Sequence, residues 1–190
     1  MMFVLEYRID YNTKIQMDRG AGKHARHKEV NVRIKEALTE AGILSVFEPA
    51  GLIRDDGKRP DGATILPFER GLPMAWDATI IHTCAHSHLH ATAVQAGAGA
   101  AAAETRKDSK YSALTSRIVF RAAAFESLGS FGPSARRLLD DIASKIKSRT
   151  GDTKAWSRLY RRIAAAIQIG NYGCIAEAHS KPFAPERLPR

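Results

Sequence analysis

In RPDGATILPFERGLPMAWDAT, residues 59–79, Asp61 opens one apolar stretch and Asp77 stands inside the next. If the two stretches form an antiparallel hairpin, the loop between them decides whether the carboxylates meet. A loop of three residues, 68–70, pairs position 67 with 71 and brings 61 opposite 77. A four-residue loop pairs 61 with 78 and sends the carboxylates to opposite faces, so the meeting requires an odd loop or a bulge. In the odd register the two Cα atoms stand roughly 4.5–5.5 Å apart. Carboxylates at that spacing raise each other's pKa unless a cation lies between them. Mg²⁺ takes oxygen ligands and borrows one or two carboxylates while keeping waters; it or Mn²⁺ suits the place, and the chemistry it would serve is hydrolysis of a phosphodiester.

Such a reaction also wants an ammonium or guanidinium beside the phosphate. Strand alternation sets Trp76, Ala78 and Ile80 on one face and Asp77 and Thr79 on the other, so Thr79 occupies the neighbouring place without offering a charge. The following helix offers one. In AAAAETRKDSKYSAL, Ala103, Lys107, Lys110 and Leu114 share a face, and Lys107 and Lys110 can reach back over the sheet. Taken singly, Asp61 in Pro-Asp reads as a turn or strand cap. Asp77 between Trp76 and Ala78 is harder to dismiss, because an unpartnered buried carboxylate is costly.

The elements that must position these groups follow from periodicity. HKEVNVRIKEALTEAG, 27–42, places Val30, Ile34, Ala37, Leu38 and Ala41 on one helical face, with Gly42 as its stop. Residues 43–52 read as a strand ending at Pro49 and Gly51, and Asp56-Gly57 as a turn. ATILPF and LPMAWDATII form the hairpin around Glu69-Arg70-Gly71. A single helix runs from about Ala93 to Ser116, a strand covers 118–125, and two amphipathic helices follow. The first carries Leu138, Leu139, Ile142 and Ile146, the second Trp156, Leu159, Ile163, Ala166 and Ile167. The tail after Asn171 is expected to fray. The class is α/β: a small mixed sheet, helices on both faces and a C-terminal helical hairpin.

The chain of 190 residues, 44% hydrophobic, is long enough for one domain with a proper core. Its 29 Lys and Arg against 20 Asp and Glu give +9, which favours a polyanionic partner. Arg136, Arg137, Arg158, Arg161 and Arg162 on the last two helices are candidates for a phosphate-contacting face. No apolar run has the length of a signal peptide core or a bilayer span, so a soluble, intracellular protein with no membrane partner is expected. Cys84 and Cys174 support neither a disulfide framework nor a four-cysteine zinc site. His82, Cys84, His86, His88 and His90 invite a zinc reading, but paired ligand spacing is absent and a polar loop explains them as well. GAGAAAA lacks the GK[ST] ending of a phosphate loop and reads as a helix packed tightly on the sheet.

Arg-Pro-Asp at 59–61, Trp-Asp-Ala-Thr at 76–79 and an Ala-Glu helix bearing Lys107 and Lys110-Tyr111 resemble the PD-(D/E)xK restriction-endonuclease-like superfamily. More closely, these motifs, with GLIRDDGKRPDGATILPF, WDATIIHT and IQIGN, are similar to the endonuclease-like domain at the C-terminal end of non-LTR retrotransposon reverse transcriptases and its free-standing relatives. The resemblance covers roughly residues 24–176, leaving 1–23 as an extension and 177–190 as a flexible tail. It implies a restriction-endonuclease-like mixed sheet and Mg²⁺- or Mn²⁺-dependent cleavage of double-stranded DNA, with nicking as the expected outcome. Asp61 and Asp77 would hold the metal, Lys110 would be the catalytic lysine, and Lys107 and the late arginines would contact the backbone. A nuclear location and a homodimer for two-strand cleavage are compatible with that reading. The pattern's strand lysine is Thr79 here, and Glu29, Glu36 and Glu48 are three candidates for a further acidic ligand. The rival expectation is a non-catalytic DNA-binding protein on the same scaffold.

Overall fold

Trp76 lies at the centre of the fold. In the computed structural model, which describes residues 21–52, 59–112 and 117–180, its ring is fully buried and its indole N–H donates to Asn31 Oδ1 at 2.8 Å. The elements run α1 (Ala21–Glu40), β1 (Ser45–Phe47), β2 (Gly62–Thr64), β3 (Met74–Ile81), α2 (His86–Val94), α3 (Ala98–Tyr111), β4 (Val119–Glu126), α4 (Pro133–Thr150) and α5 (Ala155–Ser180). The four strands form one open mixed sheet in the order β1-β2-β3-β4: the first two pairings are antiparallel, and β3 with β4 is parallel. The protein is thus of mixed α/β class.

Alternation divides the sheet into two packed faces. Trp76, Ala78 and Ile80 of β3, with Ala123 and Phe125 of β4, join the buried apolar stripes of α1, α4 and α5 in the main core. Ile81 and Ala124 point the other way, against Ala100 and Ala103 of α3. The close approach of α3 explains its small residues: a Cβ on Gly99 would collide with the end of Ile81. Two buried glutamates fasten this layer. Glu126 accepts the N–H groups of Gly99 and Ala100 at the start of α3, and Glu104 of α3 accepts those of Ser134 and Ala135 at the start of α4. Each glutamate therefore satisfies the open end of a neighbouring helix.

Several elements differ from the sequence expectation, each for a physical reason. Strand 43–52 shrinks to three residues because Glu48 turns to a φ of +46° before Pro49. The single helix from Ala93 splits at Gln95–Gly97, where Gly97 has a φ of +86°. The histidine segment, read as a polar loop, forms helix α2 from His86 onward, so that His88 lies on the side opposite His86 and His90. The tail after Asn171 stays helical to Ser180, because α1 and α5 approach closely: a Cβ on Gly22 would come within 2.8 Å of Cys174 Sγ, and the Gly22 N–H donates to Glu177 at 3.0 Å. Helix one begins at Ala21 rather than His27. Most of the expected N-terminal extension, the Asp56-Gly57 turn, the end of the Ser116 helix and the last ten residues lie outside the described residues.

Candidate functional site

The hairpin reaches the register that brings the two aspartates together by a route other than the three-residue loop. Its tip is a two-residue turn, Arg70-Gly71, both with positive φ (+53° and +76°), bridged by Glu69 and Leu72. Carried down the hairpin unchanged, that turn would put Asp61 and Asp77 on opposite faces. Three extra residues on the first arm, 65–67, restore the odd parity, and the strands below them pair Ala63 with Ala75 and Gly62 with Trp76. Thr64 holds this excursion in place: its hydroxyl donates to the Leu66 carbonyl at 2.8 Å and accepts the Met74 N–H at 2.9 Å. One residue further in the same register, Asp61 stands opposite Asp77. Gly62 is required beside it, since any Cβ there would enter the Trp76 ring.

Each carboxylate is held from a different helix. Asp61 Oδ2 accepts the Ala78 N–H at 2.7 Å, and His27 Nε2 of α1 lies 3.0 Å from the same oxygen and 3.1 Å from the Ala78 carbonyl. A nitrogen between two acceptors must carry the proton, which fixes Nε2 as the donor. Asp77 Oδ1 receives the Lys107 ammonium of α3 at 2.8 Å, and the buried Tyr111, one turn further on α3, favours the ionised form of the same carboxylate. Tyr111 is itself fixed by stacking on Phe120, ring centroids 4.2 Å apart.

The two environments push the carboxylates apart. Burial pushes Asp77 above the usual carboxylate range and the charge of Asp61 adds to that, against the pull of Lys107 and Tyr111. Burial acts upward on Asp61 too, but the hydrogen bond and charge of His27, with the Ala78 N–H and Asn31, outweigh it and hold Asp61 below its ordinary value. His27 is raised in return, its bond to Asp61 outweighing burial. The result is one firmly ionised carboxylate beside one that resists ionisation.

Of the other residues singled out by sequence, Lys110 is exposed on the last turn of α3, and Lys107, one turn earlier, is the lysine that meets Asp77. Thr79 is the one β3 residue that is not buried. Arg158 pairs with Glu40 and Asp152, and Arg162 with Glu36 and Glu40. Glu36 and Glu40 lie roughly 14–20 Å beyond His27 along α1, so both arginines face away from the aspartates. Arg136, Arg137 and Arg161 are exposed. Glu29 and Glu36 bond Arg33; Glu48 is joined to Asp61 through its backbone N–H, 3.0 Å from the Asp61 carbonyl. Among the described residues no three His, Cys, Asp or Glu side chains converge as a metal-binding group, the histidine segment included.

His27 and Asn31 were not singled out by the sequence. Their signal was present: two polar residues one turn apart beside Val30 and Ile34, interrupting the buried face of an otherwise apolar helix.

The chain matches no family model, and no curated protein matches it. Among the described residues no helix is long and apolar enough to cross a membrane.

Proposed function

We propose that this protein is a Mg²⁺- or Mn²⁺-dependent DNA endonuclease of restriction-endonuclease-like fold and retroelement origin, acting in the nucleus and nicking double-stranded DNA. The observation that supports the reading best is the meeting of Asp61, one residue before β2, with Asp77 of β3, the Lys107 ammonium on Asp77. The donor set fits a hard divalent cation: it is all oxygen, and Asp77 carries an uncompensated electrostatic load from burial and from Asp61 that a cation relieves. Asp61 and Asp77 would hold the ion, which when bound supplies Lewis-acid polarisation of a phosphoryl oxygen.

The chain's own residues account for the rest of the site. His27 and the Ala78 N–H orient Asp61, and Tyr111 orients Asp77. Lys107 presents its ammonium to the phosphate, where it stabilises the charge that builds up as the bond breaks. Lys110, exposed one turn on, takes the backbone contact instead, together with Arg136, Arg137 and Arg161. Cutting both strands would use two sites, hence a homodimer.

One observation favours a second reading, a non-catalytic DNA-binding protein on the same scaffold. Both carboxylates already have a basic partner in the chain, His27 and Lys107, and no third acidic ligand joins them among the described residues. Incubation with supercoiled plasmid in Mg²⁺, Mn²⁺ and EDTA separates the two. Metal-dependent nicking that vanishes in Asp61→Ala/Asp77→Ala supports the nuclease; a mobility shift without nicking supports the binder and ends the nuclease reading.

A further inference from the structure

A cleft of about 300 Å³ opens between α1 and α3, with residues 78–80 of β3 as its floor. Its walls carry Lys23, His24, Arg26 and His27 from α1 and Lys107 from α3, and among the described residues no carboxylate lines it. Five nitrogen-bearing side chains converge on this space; two of them, His27 and Lys107, are paired with Asp61 and Asp77 at its edge.

The cleft has a rigid wall. Arg26 is only 5% exposed, donates to Asn171 on α5, and lies against Gly170, where a Cβ would come within 2.5 Å of its side chain. This contact fixes α1 against α5 beside the cleft, where Lys23 and His24 line the opening. Both are exposed, and neither makes a hydrogen bond or ion pair among the described residues. Lys107 belongs to the cleft and to Asp77 at once, so an anion seated in the cleft lies beside the carboxylate pair.

We infer that this cleft binds the phosphodiester backbone of a single DNA strand, next to the position of the scissile phosphate. The inference rests on the nuclease reading for the identity of the polyanion and goes beyond it in assigning the strand's path and the residues that hold it. The volume stands at the lower end of the roughly 300–1,000 Å³ of ligand sites. It accommodates a phosphate with its sugar and leaves the bases outside, so one strand's backbone seats in it while the strand stays paired. Lys23 and His24 thereby become backbone-binding residues, a role that no motif in the sequence announces.

Fluorescence anisotropy with a 5′-labelled twelve-residue thymidine oligonucleotide, in EDTA across 50–200 mM salt, tests the cleft without any cleavage. Lys23→Gln should lower the slope of log affinity against log salt by about 0.7, the loss of one phosphate contact on a single strand. His24→Gln should weaken binding, and Lys147→Gln, the same charge change on exposed α4, should leave the slope unchanged. A Lys23→Gln slope equal to wild type overturns the cleft. The two readings fail separately: binding that depends on Lys23 without plasmid nicking removes the nuclease and keeps the cleft. Nicking by a Lys23→Gln protein that binds as wild type does the opposite.

Discussion

Replacing Glu104 tests how α3, and with it Lys107, is held. Its carboxylate accepts the N–H groups of Ala124 at 3.2 Å, Ser134 at 2.9 Å and Ala135 at 2.8 Å, while a Cβ on Gly132 would collide with it. Glu104→Ala leaves three donors without an acceptor. Ser134 is half-buried and regains water, but Ala124 and Ala135 are 1% and 0% exposed. At about 1–3 kcal/mol for each buried unsatisfied donor, the loss is about 2–6 kcal/mol. For a chain of this size that corresponds to a fall in Tm of roughly 10 °C. Glu104→Gln keeps one acceptor oxygen and should lose less.

The pH dependence carries a sign as well. Burial raises the Glu104 pKa against the pull of its three N–H donors. A carboxyl raised in the folded state binds its proton more tightly there than in the unfolded chain. Its contribution is therefore fully present below the unfolded value of about 4.3 and is lost as pH rises through the folded value. Urea titrations of wild type and Glu104→Gln at a series of pH values read this directly: the advantage of wild type should shrink across that window and then level off. A Glu104→Ala protein within about 1 kcal/mol of wild type would refute the capping argument, and an advantage that grows with pH would refute the sign.

Lys107→Ala should lower stability by about 1–3 kcal/mol, because the buried Asp77 carboxylate loses its cation, and lower metal-dependent nicking by about 10²–10³-fold, the usual cost of removing one donor to a charged transition state; thermal melts and single-turnover nicking rates decide it. Gly62→Ala should cost about 1–3 kcal/mol by thermal melting, because its Cβ meets the Trp76 ring, and should reduce nicking further than the stability loss explains, by moving Asp61. Arg162→Ala should cost less than about 1 kcal/mol, since its pairs with Glu36 and Glu40 are partly solvated; denaturant melts measure it.

The legible part of this protein was the part written in periodicity. The apolar faces of α1, α4 and α5 and the alternation of β3 came directly from spacing, since burial follows a helical or strand period. Asp77 stood out because a carboxylate in an apolar strand needs a partner. Less legible was anything decided between elements. Lys107 and Lys110 lie one turn apart on the same face, and only the placement of α3 over β3 selects Lys107. Arg158 and Arg162 read as free cations until Glu36 and Glu40, far away in sequence, meet them. His27 was hidden in the same way, its role depending on Asp61 arriving at the end of a strand whose register is set by Thr64.

The excursion at 65–67 reverses an ordinary expectation about surface loops. Ile65 and Leu66 are exposed, and such segments usually absorb insertions and deletions freely. Here the length of the segment counts modulo two. Losing or gaining one residue would leave composition, hydrophobic content and the Arg70-Gly71 turn untouched, yet would rotate Asp61 to the far side of the sheet from Asp77. A frame of odd and even lengths would then divide descendants of this chain into two populations, alike in fold, of which only one keeps its paired carboxylates.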